Sequence, residues 1–150
     1  MAQRRANLFK RAERWQLNGY CDLTLSEYHP FLTVRDVAST GRCHRIYSWT
    51  AKRLHHLFSD LEASVFYFFD YLESAKDIRE QYPLLPIDET LEIAEQLGVK
   101  HPAYNKELHV MSTDLVVTKS DGSLIAIQVK PEEKLKSRRT CEKLDIEYQY

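Results

Sequence analysis

The stretch from Thr113 to Lys130 leaves this chain less conformational freedom than any other. Thr113-Asp114-Leu115-Val116-Val117-Thr118 is rich in β-branched residues, and Leu124-Ile125-Ala126-Ile127-Gln128-Val129-Lys130 mirrors it across the triplet Ser120-Asp121-Gly122. Two such runs around a glycine-containing turn predict a β-hairpin. A three-residue loop with Gly122 in the left-handed position pairs Lys119 with Ser123 and sets Asp114 opposite Gln128. Successive side chains alternate between faces, so Asp114, Gln128 and Lys130 share one face. Leu115, Val117, Ile125, Ile127 and Val129 take the other. A two-residue loop would break this register.

The rest of the chain supplies helices and short extended segments around the hairpin. Residues 1–17 form a basic amphipathic segment with Leu8, Ala12 and Trp15 on one side. Residues 28–50 suggest two β-like segments joined at Ser39-Thr40-Gly41. Ser59 followed by Glu62 has capping-box spacing before the apolar run Val65, Phe66, Phe68, Phe69 and Leu72, so a helix starts there. Residues 78–85 read as extended, punctuated by Pro83 and Pro86. Asp88 is placed to cap a further helix that ends at Gly98. Pro131, followed by Glu132 and Glu133, opens a last helix running to Tyr150. No repeat and no flexible interdomain linker is evident.

A chain of 150 residues with 43% hydrophobic content fits one domain with one core. No apolar run approaches the roughly 18 residues needed to span a bilayer. The basic start lacks the apolar region of a secretory signal, so a cytoplasmic location is expected. Cys21, Cys43 and Cys141 are odd in number and widely spaced, which argues against a disulfide framework or a zinc cluster. Charge is divided along the chain: residues 1–58 hold ten Lys/Arg against four Asp/Glu, and residues 59–150 hold eleven against eighteen. A basic half beside an acidic half suits a protein that grips phosphate with one surface and cations with another. An unevenly charged but merely solvated surface has the same pattern.

The hairpin's polar face carries the chemistry. Its spacing, D-x(13)-Q-x-K, matches the core of PD-(D/E)xK nucleases, with glutamine in place of the usual acid. Hydrolysis of a phosphodiester requires a divalent cation to neutralise phosphate and activate water. Mg²⁺ prefers hard oxygen ligands and retains several waters, so a few protein oxygens suffice. Asp114 is the expected central ligand, with the Gln128 amide oxygen and the Val129 carbonyl beside it. Lys130 is the cation available to orient water or stabilise the phosphate. Glu62 is the candidate second carboxylate, and it is equally the third residue of a capping box. An ordinary amphipathic strand pair is the plainer reading of the hairpin itself, because D…QxK is a short pattern.

Longer strings weigh on that choice. Phe31-Leu32-Thr33-Val34-Arg35, the segment Gly41 to Ser48, His55 to Glu62, Asp77 to Pro86, His109 to Asp114 and Ile127 to Pro131 resemble the N-terminal domain of TnsA-type transposon endonucleases, in family order. The resemblance implies an α/β fold with a restriction-endonuclease-like mixed central sheet flanked by helices, incomplete at its C-terminus. The resemblance covers roughly 28–150, the expected catalytic domain, and leaves 1–27 as a basic N-terminal arm. Glu62, Asp114 and Lys130 match the family's active site, and Gln128 matches a metal ligand. The implied activity is Mg²⁺-dependent hydrolysis of the 5′-end strand at double-stranded transposon ends, with Mn²⁺ able to substitute. The implied partners are a DDE-type transposase subunit (TnsB-like) and an AAA+ regulator (TnsC-like), in a bacterial cytoplasm.

Arg42, His44, Arg45, Lys52, Arg53, His55 and His56 are candidate phosphate contacts, a role that sets affinity more than sequence choice. For His55 and His56, local hydrogen bonding at the helix entry is the competing reading. Two other functions remain open at this point: a stand-alone nuclease of the same fold, and a DNA-binding assembly subunit that does not cut.

Overall fold

The computed structural model describes residues 2–37, 41–104 and 107–150. In chain order its elements are α1 (Ala2–Leu17), β1 (His44–Tyr47), β2 (Leu54–Leu57), α2 (Asp60–Tyr71), β3 (Ala75–Pro83), α3 (Ile87–Gln96), β4 (Ala103–Tyr104), β5 (Glu107–Leu108), β6 (Ser112–Lys119), β7 (Leu124–Ile127), α4 (Glu132–Leu135) and α5 (Arg138–Gln149). The fold is mixed α/β. Among the described residues the strands form three sheets, ordered β1-β2, β3-β6-β7 and β4-β5. No described helix is long and apolar enough to cross a membrane.

The chain divides into two compact units. The first comprises residues 22–82 and 113–129 and holds the β3-β6-β7 sheet, the β1-β2 ribbon and α2. Its core is Leu57, Ala63, Phe66, Ala75, Ile78, Leu115 and Val117, with Ile46, Ile125 and Ile127 packed against it. Leu115 and Val117 alternate with Asp114 and Val116, and all four are buried, so β6 is covered on both faces. Ser120 N donates to Ser74 O at 2.8 Å, which ties the far end of β6 to the start of β3. α2 starts where its sequence dictates: the Ser59 side chain accepts the Glu62 N–H.

The second unit contains α1, α3, β4, β5, α4 and α5. Leu84, Ala94, Met111 and Ile146 form its core. Tyr150 Oη donates to Leu85 O at 2.7 Å, and Arg139 Nη1 donates to Lys100 O at 2.6 Å.

Three local expectations change. Strands form at 44–47 and 54–57, not on either side of Ser39-Thr40-Gly41, of which Ser39 and Thr40 lie outside the described residues. Within 28–37 the Asp36 carboxylate accepts from both Thr33 N and Thr33 Oγ1, a local turn that diverts the backbone from strand pairing. Asp88 does not cap α3, because the helix already begins at Ile87 behind Pro86; Asp88 is instead an acid of its first turn, where the helix dipole favours it. The C-terminal helix is two helices, since Ser137 caps α5 afresh through Thr140 N.

Candidate active site

The β6-β7 ladder pairs Leu115 with Ile127, Val116 with Ala126, Val117 with Ile125 and Thr118 with Leu124. Lys119 N donates to Ser123 O at 2.8 Å, closing the three-residue loop with Gly122 at a φ of 82°. This is the register expected from the turn, and its extension sets Asp114 across from Gln128.

At the open end of the hairpin, side chains continue what the backbone ladder stops doing. Thr113 Oγ1 donates to Ile127 O at 3.1 Å, Asp114 N donates to Gln128 Oε1 at 3.1 Å, and Val129 N donates to Asp114 Oδ2 at 2.7 Å. The last is a charge-assisted bond, stronger than a neutral one, and it fixes the carboxylate's orientation. An N–H needs an acceptor, so the oxygen of the Gln128 amide is the atom that faces Asp114. That oxygen keeps a second lone pair for another partner. Asp114 is only 7% exposed.

Glu62 sits in the first turn of α2 and is 6% exposed. Its N–H donates to Ser59 Oγ at 3.1 Å while Ser59 Oγ donates to Glu62 Oε1 at 3.0 Å. Phe58 N donates to Glu62 Oε2 at 2.8 Å. Ser59 thus caps the helix, and the Glu62 carboxylate reaches back to the cap's hydroxyl and to Phe58 N–H, where a capping box would use the cap's own N–H. A third donor to the carboxylate comes from Gln81, whose Nε2 lies 3.3 Å from Glu62 Oε2. Gln81 stands inside β3 with a φ of 48° and is buried. No glycine or asparagine marks that position, so sequence reasoning had no signal for it.

Asp114, Gln128 and Val129 are thus brought into direct contact. Glu62 is tied to β3 through Gln81, and β3 neighbours β6, the strand that carries Asp114. Lys130 is half-buried and follows Val129 directly in the chain. Among the described residues no three His, Cys, Asp or Glu side chains converge as a metal cluster. Any cation here would rely on two carboxylates and neutral oxygens. Such hard donors suit Mg²⁺, which needs few protein ligands.

The basic candidates separate into two groups. Arg53 and His55 are buried, so the surface role expected of them is corrected. Arg53 Nη1 and Nη2 bind Glu80 at 3.0 and 2.6 Å, and Nη2 also donates to Ile78 O. Burial lowers the His55 pKa despite the opposing Glu80 charge, so the ring stays neutral and donates from Nε2 to Ile78 O at 2.9 Å. His56 is half-buried; its Nδ1 accepts from Val34 N at 3.4 Å, and burial lowers its pKa too. Arg42 and His44 both lean on Asp60, with His44 Nε2 2.6 Å from Asp60 Oδ1. Arg45 and Lys52 are exposed.

The chain matches the family described as TnsA-like endonuclease N terminal over residues 73–150, a span that includes Asp114, Gln128 and Lys130. It is 51% identical over 126 residues to Transposon Tn7 transposition protein TnsA of Escherichia coli, covering 83% of this chain and 46% of that protein. The chain thus spans about half the length of the curated relative it matches. With the family match reaching across half the sequence and the hairpin holding Asp114 against Gln128, the chain belongs to the TnsA-like endonucleases and carries their N-terminal domain.

Proposed function

We propose that this chain is a metal-dependent DNA endonuclease domain that hydrolyses the 5′-end strand at transposon ends, as one subunit of a heteromeric transposase. The observation that carries the reading is the contact between Asp114, Gln128 and Val129 at the mouth of a hairpin with D…QxK spacing. Glu62, Asp114, the Gln128 amide oxygen and the Val129 carbonyl would hold Mg²⁺ or Mn²⁺. The ion would neutralise phosphate charge and lower the pKa of a water.

The protein's own part is orientation. Val129 N–H holds one Asp114 oxygen, and Phe58 N–H, Ser59 and Gln81 hold the Glu62 carboxylate, so neither group needs to reorganise when it meets a charged ligand. Lys130 would contribute a positive charge that orients water or stabilises the phosphate. Arg42, Arg45 and Lys52 would contact phosphates of duplex DNA. A DDE-type transposase cutting the other strand and an AAA+ regulator are the partners this role calls for.

The test is strand nicking of supercoiled DNA bearing transposon ends, in the presence of the partner transposase and Mg²⁺. Nicking by this chain and its loss in both Asp114→Ala and Lys130→Ala supports the reading. DNA binding without nicking, unchanged by either substitution, would make the chain a non-catalytic assembly subunit.

A further inference from the structure

The β1-β2 ribbon presents a face that the cutting chemistry does not use. Its register pairs Arg45 with His56 and Tyr47 with Leu54, so these four side chains share one face. Ile46 and Leu57 belong to the opposite face and pack in the core. On the outer side Tyr47 is 50% exposed, Leu54 44% and Trp49, in the connecting loop, 74%. Lys52 Nζ lies 5.3 Å over the Trp49 ring, and the Tyr47 ring meets Trp49 edge-on at 5.8 Å. No acidic residue occurs anywhere from 41 to 57.

The exposed Trp49 indole stands on a loop that is tied by hydrogen bonds to α2. Asp70, near the end of α2, holds it: Ser48 Oγ donates to Asp70 Oδ1 at 2.6 Å, Thr50 N to Oδ1 at 3.2 Å and Trp49 N to Oδ2 at 3.4 Å. Thr50 Oγ1 adds a bond to Asp70 O at 3.1 Å, and Ala51 N donates to Ser48 Oγ at 2.8 Å. Lys52 adopts a φ of 56°, left-handed backbone that turns the chain back into β2. A carboxylate at a helix C-terminus opposes the helix dipole, so Asp70 is placed at a cost that the loop contacts offset.

We propose that this ribbon tip is a DNA-contacting element in which the Trp49 ring stacks on a base, with Arg45 and Lys52 on the adjoining phosphates. The inference rests on the DNA reading above and extends it to a named contact. A two-stranded ribbon fits the groove of duplex DNA, and the exposed Arg45 and Lys52 complement the phosphate backbone. Indole stacking needs an open π-face, which a fully stacked duplex does not offer and an unpaired base does. The occupant is therefore DNA with an unpaired or extruded base.

The experiment uses the whole chain with Trp15→Phe, which leaves Trp49 as its one tryptophan, in EDTA so that the carboxylate site takes no part. A short duplex with one unpaired adenine is compared with its fully paired counterpart, following Trp49 emission and DNA anisotropy together. Quenching of Trp49, with roughly tenfold tighter binding to the duplex carrying the unpaired base, supports the proposal. Trp49→Ala, with folding verified by circular dichroism, should erase that preference, and Arg45→Gln or Lys52→Gln should weaken both duplexes alike. DNA that binds without changing Trp49 emission overturns the proposal and leaves the DNA reading intact. Normal DNA binding by Trp49→Ala, with loss of co-elution with the partner transposase, also overturns it and makes the tip a protein-docking surface. Failure to bind either duplex overturns the DNA reading and this inference together.

Discussion

Gln81 Nε2 reaches Glu62 Oε2 at 3.3 Å from left-handed backbone inside a strand, so a strained residue supports a carboxylate of the candidate site. Such a φ costs an L-residue about 1–2 kcal/mol and costs glycine little. The Gln81→Gly variant should therefore be about 1 kcal/mol more stable than Gln81→Ala in urea unfolding, although both lose the same amide. If Gln81 orients Glu62, both variants should also bind Mn²⁺ more weakly than the parent. Unchanged Mn²⁺ affinity in both would reduce Gln81 to a packing role.

Arg53 and Lys52 are chain neighbours with opposite expected behaviour. Arg53 is paired with Glu80 in the interior, so Arg53→Met leaves a buried carboxylate uncompensated and should destabilise by about 3–5 kcal/mol. Lys52→Gln, at the surface, should change stability by less than about 0.5 kcal/mol. In DNA binding the order reverses: Lys52→Gln should lower the slope of log affinity against log salt by roughly 0.9 for one lost phosphate contact. Equal stabilities for the two variants would contradict the buried assignment of Arg53.

Asp70 predicts a pH dependence. Burial raises its carboxyl, but hydrogen bonds from Ser48, Thr50 and Trp49 together outweigh that and hold the pKa below the ordinary 3.8. A folded pKa below the unfolded one means stability that is fully present above 3.8 and lost as pH falls through the folded value. Asp70→Ala should thus be less stable than the parent at neutral pH, and the gap should narrow as pH drops below 3.8. Chemical denaturation at several acidic pH values measures it. A gap independent of pH would show that the loop contacts do not depend on the ionised carboxylate.

Much of the site's framework was legible because it is local. The triplet Ser120-Asp121-Gly122 has one glycine where a left-handed residue is needed, and alternation then carries the register out to Asp114 and Gln128. The Ser59–Glu62 spacing announced its cap for the same reason. Contacts between distant segments were not legible. Arg53 and His55 look like surface cations until Glu80 and the carbonyl of Ile78, more than twenty residues away, enclose them. The ribbon was expected around Gly41, but Asp70 supplies hydrogen-bond acceptors that make 48–53 the turn. Gln81 was invisible because its backbone conformation is imposed by its surroundings and not by its own side chain.

Calorimetric Mn²⁺ and Mg²⁺ binding by the parent and Asp114→Asn decides whether Asp114 anchors a divalent cation. Asparagine retains an oxygen that can accept the Val129 N–H, so the hairpin end should stay folded while the charge is removed. The parent should bind, and the variant should bind at least about tenfold more weakly, or roughly 1.4 kcal/mol. Equal affinities in the two folded proteins, or no binding by the folded parent, would contradict that role for Asp114.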